Sequence, residues 1–127
     1  YLTDLETAPL QLEGMMTGSI DLLCRHQGRY YVIDYKTNYL GNAPSNYEAE
    51  ALTAAIRHHQ YDLQYLLYCV AVKKILALRQ PKIPFEDLFG GVVYLFLRGM
   101  TGSSDGGVHF DPVPIALIEA LDASLNP

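Results

Sequence analysis

Cysteine is scarce in this 127-residue chain, occurring only at Cys24 and Cys69. The two form no C-x-x-C pair, which leaves a zinc ribbon or a cysteine-ligated iron–sulfur cluster unsupported. Both lie in apolar stretches, as buried small hydrophobes do, and such sparse thiol use fits a reducing cytoplasm. Basic residues are also in the minority: 9 Lys and Arg against 14 Asp and Glu give a formal net charge of −5. A non-specific clamp on DNA needs a basic surface, so any grip on nucleic acid must come largely from other chains or domains, or from a bound divalent cation. No apolar run approaches the ~20 residues of a membrane helix; Val92–Leu97 is among the longest. No basic segment followed by an apolar one opens the chain, so a secretory signal is not expected. A G-x-x-x-x-G-K-[ST] loop is missing, so nothing here is expected to bind ATP. The chain starts at Tyr1 rather than Met, which suggests a piece of something longer.

What is present reads as one domain of ordinary globular composition, half apolar and 18% charged. Leu10–Met16, Ser19–Arg25 and Tyr30–Thr37 read as strands, the last two joined by the short polar loop His26-Gln27-Gly28-Arg29 as a hairpin. Gly41 to Pro44 breaks the chain, and Ser45-x-x-Glu48 resembles a capping box opening a helix over about Tyr47 to His59. A second helix is expected over Tyr61–Arg79, with Leu63, Leu66, Leu67, Val70, Ala71 and Lys74 in helical period. Gly91–Leu97 fits a central strand covered on both faces, Gly99–Gly107 a loop, Val108–Phe110 an edge strand, and Pro114–Leu125 a closing helix. The order predicts an α/β fold, a mixed β-sheet flanked by helices.

A hairpin centred between Gln27 and Gly28 sets Asp21 opposite Asp34 and Ser19 opposite Lys36. Opposed residues of an antiparallel pair share a face, and alternation puts Asp34 and Lys36 on that same face. Two carboxylates and an ammonium then converge, while Ile20, Leu22, Cys24, Tyr31, Ile33 and Tyr35 form an apolar surface behind them. Facing carboxylates destabilise a sheet, and a hard cation with oxygen ligands is the natural compensation. The same spacing also fits a Lys36 that merely bridges two aspartates on an exposed edge, and a one-residue slip would dissolve the convergence.

The segment Gly18-Ser19-Ile20-Asp21-Leu22, followed by Ile33-Asp34-Tyr35-Lys36-Thr37, resembles the G-x-I-D-L and D-Y-K-[ST] motifs of the PD-(D/E)XK nuclease superfamily. Gln64-x-x-x-Tyr68, within Tyr61–Tyr68, resembles the Q-x-x-x-Y motif of its RecB-like branch, and Phe89–Gly99 is similar to the strand that follows there. The motifs run in the expected order from about Leu12 to Gly99. The resemblance implies a restriction-endonuclease-like core and Mg²⁺-dependent hydrolysis of DNA phosphodiesters by an exodeoxyribonuclease. That activity would serve break processing and recombination beside partner subunits of RecC and RecD type, with ATP used only by helicase parts outside this chain.

Carried over, the resemblance assigns Asp21, Asp34 and the backbone carbonyl of Tyr35 to the metal. Lys36 would position or deprotonate the attacking water and stabilise charge, and Gln64 and Tyr68, four apart on one helix face, would orient Lys36 or touch DNA. The family pattern also has a His or Glu ligand on a helix well upstream. No His precedes Asp21, and Glu6 and Glu13 lie on no convincing helix. The chain is therefore expected to be the C-terminal part of such a nuclease domain, with an incomplete metal site and little activity alone. The other reading is a non-catalytic module that docks partners and DNA around a vestigial site. His58 and His59 are expected to serve a helix end, His26 and His109 to be solvated, and Arg98 to be an exposed strand-end arginine or a phosphate contact.

Overall fold

A computed structural model describes residues 4–12, 16–100 and 106–125, with side chains from residue 22 onward. Five strands form one mixed sheet in the order β1-β2-β3-β4-β5: β1 (Asp4–Leu12), β2 (Met16–His26), β3 (Arg29–Lys36), β4 (Phe89–Phe96) and β5 (Val108–Asp111). β3 and β4 are parallel and the other neighbours antiparallel. The parallel pair is joined by α1 (Ala49–His58), α2 (Tyr61–Arg79) and the single turn α3 (Phe85–Leu88), and α4 (Ile115–Leu125) closes the chain. The expected α/β class and mixed sheet are observed. Among the described residues no helix is long and apolar enough to cross a membrane.

The β2–β3 hairpin follows directly from its turn. Gln27 and Gly28 both have positive φ, 51° and 80°, the backbone that two-residue hairpin turns of the primed type require. The recorded pairs run from His26↔Arg29 to Leu22↔Ile33, the register expected from the sequence. The first expected strand, Leu10–Met16, is wrong in its bounds: β1 ends at Leu12, which pairs with Met16 at the start of β2, and residues 13–15 lie outside the described ones. Apolar residues at the end of β1 and the start of β2 merged two strands into one.

One face of the sheet carries the core. Leu23, Val32, Val92, Tyr94 and Phe96 meet Leu52 and Ile56 of α1, Tyr65, Cys69, Val72 and Leu76 of α2, and Ile118 of α4. β4 is not covered on both faces as expected. Val92, Tyr94 and Phe96 are fully buried while Val93 and Leu95 are half-buried, because the core helices pack against one side. α2 is apolar around much of its girth, so its periodicity misleads: Leu63, expected inside, is 51% exposed, and the Tyr65–Cys69–Val72–Leu76 row faces the core instead. The expected capping box at Ser45 is also absent. Pro44–Tyr47 is a 3₁₀ turn in which the Asn46 Oδ1 accepts the Ala43 N–H at 3.0 Å, and α1 starts at Ala49. Both cysteines are buried free thiols, their pKa raised by burial, that of Cys69 to about 12.

Gln27 is the misfit of the hairpin, since a side chain at positive φ is strained where Asn or Gly is not. Gln27→Asn is expected to raise stability by about 0.4–1 kcal/mol. Urea unfolding measures it; an unchanged or lower midpoint would show that the turn is not of this type.

Candidate active site

Asp34 and Lys36 stand two apart on β3 and so on one face, the face that carries the core. Asp34 is 3% exposed, the one buried charged residue among those described. A carboxylate there requires compensation, and Lys36 provides it: its Nζ lies 2.7 Å from Asp34 Oδ2. The same Nζ donates to Gln64 Oε1 at 3.1 Å and sits 4.0 Å above the Tyr61 ring and 5.2 Å from that of Tyr94. Lysine has only donors, so it fixes the Gln64 amide with its oxygen inward. The alternative of a bridge on an exposed edge does not hold for this pair, which is largely buried.

Tyr94 completes the cluster from β4, where the parallel register sets it beside Asp34. Its hydroxyl donates to Gln64 Oε1 at 2.6 Å and approaches the Tyr61 carbonyl at 3.2 Å. Burial first, then the charge of Asp34, pushes its pKa far above the usual phenol value, so it remains a neutral donor. Gln64 Oε1 therefore accepts from both the lysine and the tyrosine. Beyond Tyr61 the cluster continues: His59, which ends α1, stacks on the Tyr61 ring at 5.1 Å, and Asn38 donates to the Tyr61 hydroxyl at 3.2 Å.

The structure thus brings Asp34, Lys36 and Gln64 together as the sequence suggested. Tyr68, one turn beyond Gln64, is half-buried against the core; it influences Tyr94 electrostatically, and the recorded polar partners of Lys36 are Asp34 and Gln64. The Tyr35 side chain is 44% exposed on the other face. Asp21 lies on β2 at an irregularity. Between Glu6↔Leu23 and Ala8↔Ile20, β2 contributes Asp21 and Leu22 against Thr7 alone, a bulge of the kind common beside active sites. Continuing the hairpin register by one step sets the Asp21 backbone opposite Asp34; its side chain lies outside the described residues, as do those of Glu6 and Glu13. Among the described residues no three His, Cys, Asp or Glu side chains gather as a metal cage.

Sequence reading missed Tyr61, Tyr94 and Asn38 as members of the cluster. The signal for Tyr94 was a hydroxyl inside an otherwise apolar central strand, which must find a partner when buried. His109 was expected to be solvated; it is half-buried on β5 opposite Tyr94, and burial lowers its pKa.

The chain is similar to known proteins over most of its length. The profile of a family described as the PD-(D/E)XK nuclease superfamily matches residues 2–125. The RecBCD enzyme subunit RecB of Haemophilus influenzae is 46% identical over 112 residues, 88% of this chain and 9% of that protein. That of Escherichia coli is 50% identical over 91 residues, 72% of this chain and 8% of the relative. The RecB subunit of Mycobacterium tuberculosis is 42% identical over 123 residues, 91% of this chain and 11% of the relative. The chain thus spans about a tenth of the length of these relatives.

If Tyr94 is the buried donor that holds Gln64, Tyr94→Phe should cost about 1–3 kcal/mol, because the Gln64 oxygen loses one of its two donors. Urea unfolding measures this; a loss below about 0.5 kcal/mol would place the hydroxyl outside the network.

Proposed function

Because the chain belongs to the PD-(D/E)XK nuclease superfamily, we propose that it hydrolyses DNA phosphodiester bonds as an exodeoxyribonuclease, within a cytoplasmic helicase–nuclease assembly that processes broken DNA. The observation that carries this reading is the Asp34–Lys36 ion pair, buried and clamped by Gln64. A purely structural ion pair of this burial is seldom an aid to stability, so its presence on a core strand calls for a chemical use.

Hydrolysis needs water to attack phosphorus and the ester oxygen to leave with a proton. Asp34 supplies a hard oxygen ligand, the donor type Mg²⁺ prefers, and it is paired with the Lys36 ammonium. Asp21 and the Tyr35 carbonyl are the further ligands we assign. When bound, Mg²⁺ supplies Lewis acidity and makes water a better nucleophile. Lys36 has three donors; one is hydrogen-bonded to Gln64, and Asp34 faces the ammonium as an ion pair. We assign a remaining donor to the phosphate, where a fixed cation stabilises the charge that grows on the non-bridging oxygens. Gln64 positions Lys36, and Tyr94 positions Gln64. We assign Tyr68 to the support of this helix face. ATP-driven parts and RecC- and RecD-type partners would deliver the strand, which answers the shortage of basic charge.

In the protein that carries this chain, Asp34→Ala and Lys36→Gln should each lower DNA hydrolysis at least about a hundredfold while ATP-dependent unwinding persists. Near-normal cutting by both variants sinks the assignment. Intact wild-type folding with no Mg²⁺ binding in a titration would instead support a vestigial docking module.

A further inference from the structure

Beside the cluster, at the end of β3, lies a cavity of about 350 Å³ lined by Tyr39, Gly41, Asn42, Tyr47, Arg98 and Gly99, among others. We propose that it is the subsite for one nucleotide of a single-stranded DNA substrate, the base stacking on Tyr39 and the phosphate meeting Arg98. This deepens the nuclease reading above and rests on it. The volume lies near the low end of the ~300–1,000 Å³ typical of ligand pockets, suited to one nucleotide.

The pocket is built rather than incidental. Tyr39 is 59% exposed, an aromatic face offered to solvent, yet it is held: its hydroxyl donates to Asn42 Oδ1. Arg98 Nε donates to the Thr37 carbonyl at 2.7 Å, which orients the guanidinium. Thr37 directly follows Lys36, so this arginine is tethered to the residue next to the lysine in sequence. The guanidinium carbon stands over the Tyr39 ring, 6.0 Å from its centre, the outer limit of a cation–π pair, and the ring is still more than half exposed. The wall behind them tolerates no bulk. A Cβ on Gly99 would meet the Tyr47 ring at 2.3 Å, and one on Gly41 the Asn46 side chain at 2.2 Å. The Tyr47 hydroxyl in turn accepts the Leu40 N–H at 3.0 Å, which fixes the loop that carries Tyr39. An exposed aromatic and an oriented arginine are the two elements by which proteins hold single strands without reading sequence. The pocket lies at the end of the strand that carries Lys36, and in this proposal a strand with its scissile phosphate at Lys36 places a neighbouring nucleotide there.

The test uses the protein that carries this chain and a fluorescein-labelled oligothymidylate, with cleavage kinetics and, without divalent metal, binding at several salt concentrations. Tyr39→Ala and Arg98→Ala should each raise KM and Kd about tenfold or more, with kcat falling much less. Arg98→Ala should also reduce the salt slope of binding by about one, while Tyr39→Ala leaves that slope in place. Tyr39→Phe, which keeps the ring, should restore most of the affinity lost in Tyr39→Ala. If the wild type cuts and both alanine variants keep its KM and Kd, the subsite is refuted and the nuclease reading stands. If the wild type does not cut yet binding falls as stated, the subsite stands and the nuclease reading fails. Loss of affinity in Tyr39→Phe equal to that in Tyr39→Ala would overturn the stacking role.

Discussion

A carboxylate buried to 3% exposure on a core strand is the constraint from which the rest of this site follows. Asp34 cannot remain charged there without a cation, since an unpaired buried charge costs several kcal/mol, on the order of 3–5 where a partner has been removed. Lys36, two residues on, is the nearest group that alternation places on the same face. Once its ammonium is drawn inward, it too must be satisfied, and α2 brings Gln64 over the strand to accept from it. Gln64 Oε1 then takes a second donor, Tyr94, from the parallel neighbour. Each polar group is buried because the previous one was.

This chain of obligations explains why β3 and β4 are parallel neighbours with α1 and α2 between them. The crossover carries Gln64 and Tyr61 to the sheet face on which Asp34, Lys36 and Tyr94 already stand. The aromatic rings add a second function. Tyr61 lies under the lysine at 4.0 Å and stacks against His59, so Lys36 is held from below by a ring face rather than by a further carboxylate. Its net positive charge is thus less fully cancelled than in a multi-carboxylate cluster. In the proposed role, an ammonium that attracts a phosphate benefits from that.

Much of this was legible in the residues. The Gln27-Gly28 turn fixed the hairpin register, and the alternation of Asp34 and Lys36 fixed their common face, because both depend on local backbone rules. The ordered motifs then singled out Gln64. What was not legible depends on tertiary choice. The end of β1 and the start of β2 are both apolar, so pattern alone merged them into one strand. α2 offers apolar residues in almost every direction, and only the packing of α1, α4 and the sheet selects Tyr65 and Cys69 over Leu63. Tyr94 was read as core, which it is by burial, but its hydroxyl belongs to the site. The role of Asn38 and His59 required knowing that the α1–α2 corner folds over the end of β3.

The bulge at Asp21 is the remaining physical link between fold and chemistry. In regular antiparallel pairing, Asp21 and Asp34 would be held at a fixed spacing by ladders on both sides of β2. An extra residue in β2 opposite Thr7 releases the β1 side of that ladder at the level of Asp21, and a bulge bends its strand and increases its twist. Asp34 meanwhile is held on its other side by β4. One of the two strand positions is therefore anchored between two ladders, and the other lies where the ladder on its outer side is interrupted. Mg²⁺ demands near-octahedral geometry at short distances. For the metal proposed above, a ligand fixed in the core and one on an interrupted ladder would meet that demand better than two positions fixed by an unbroken ladder.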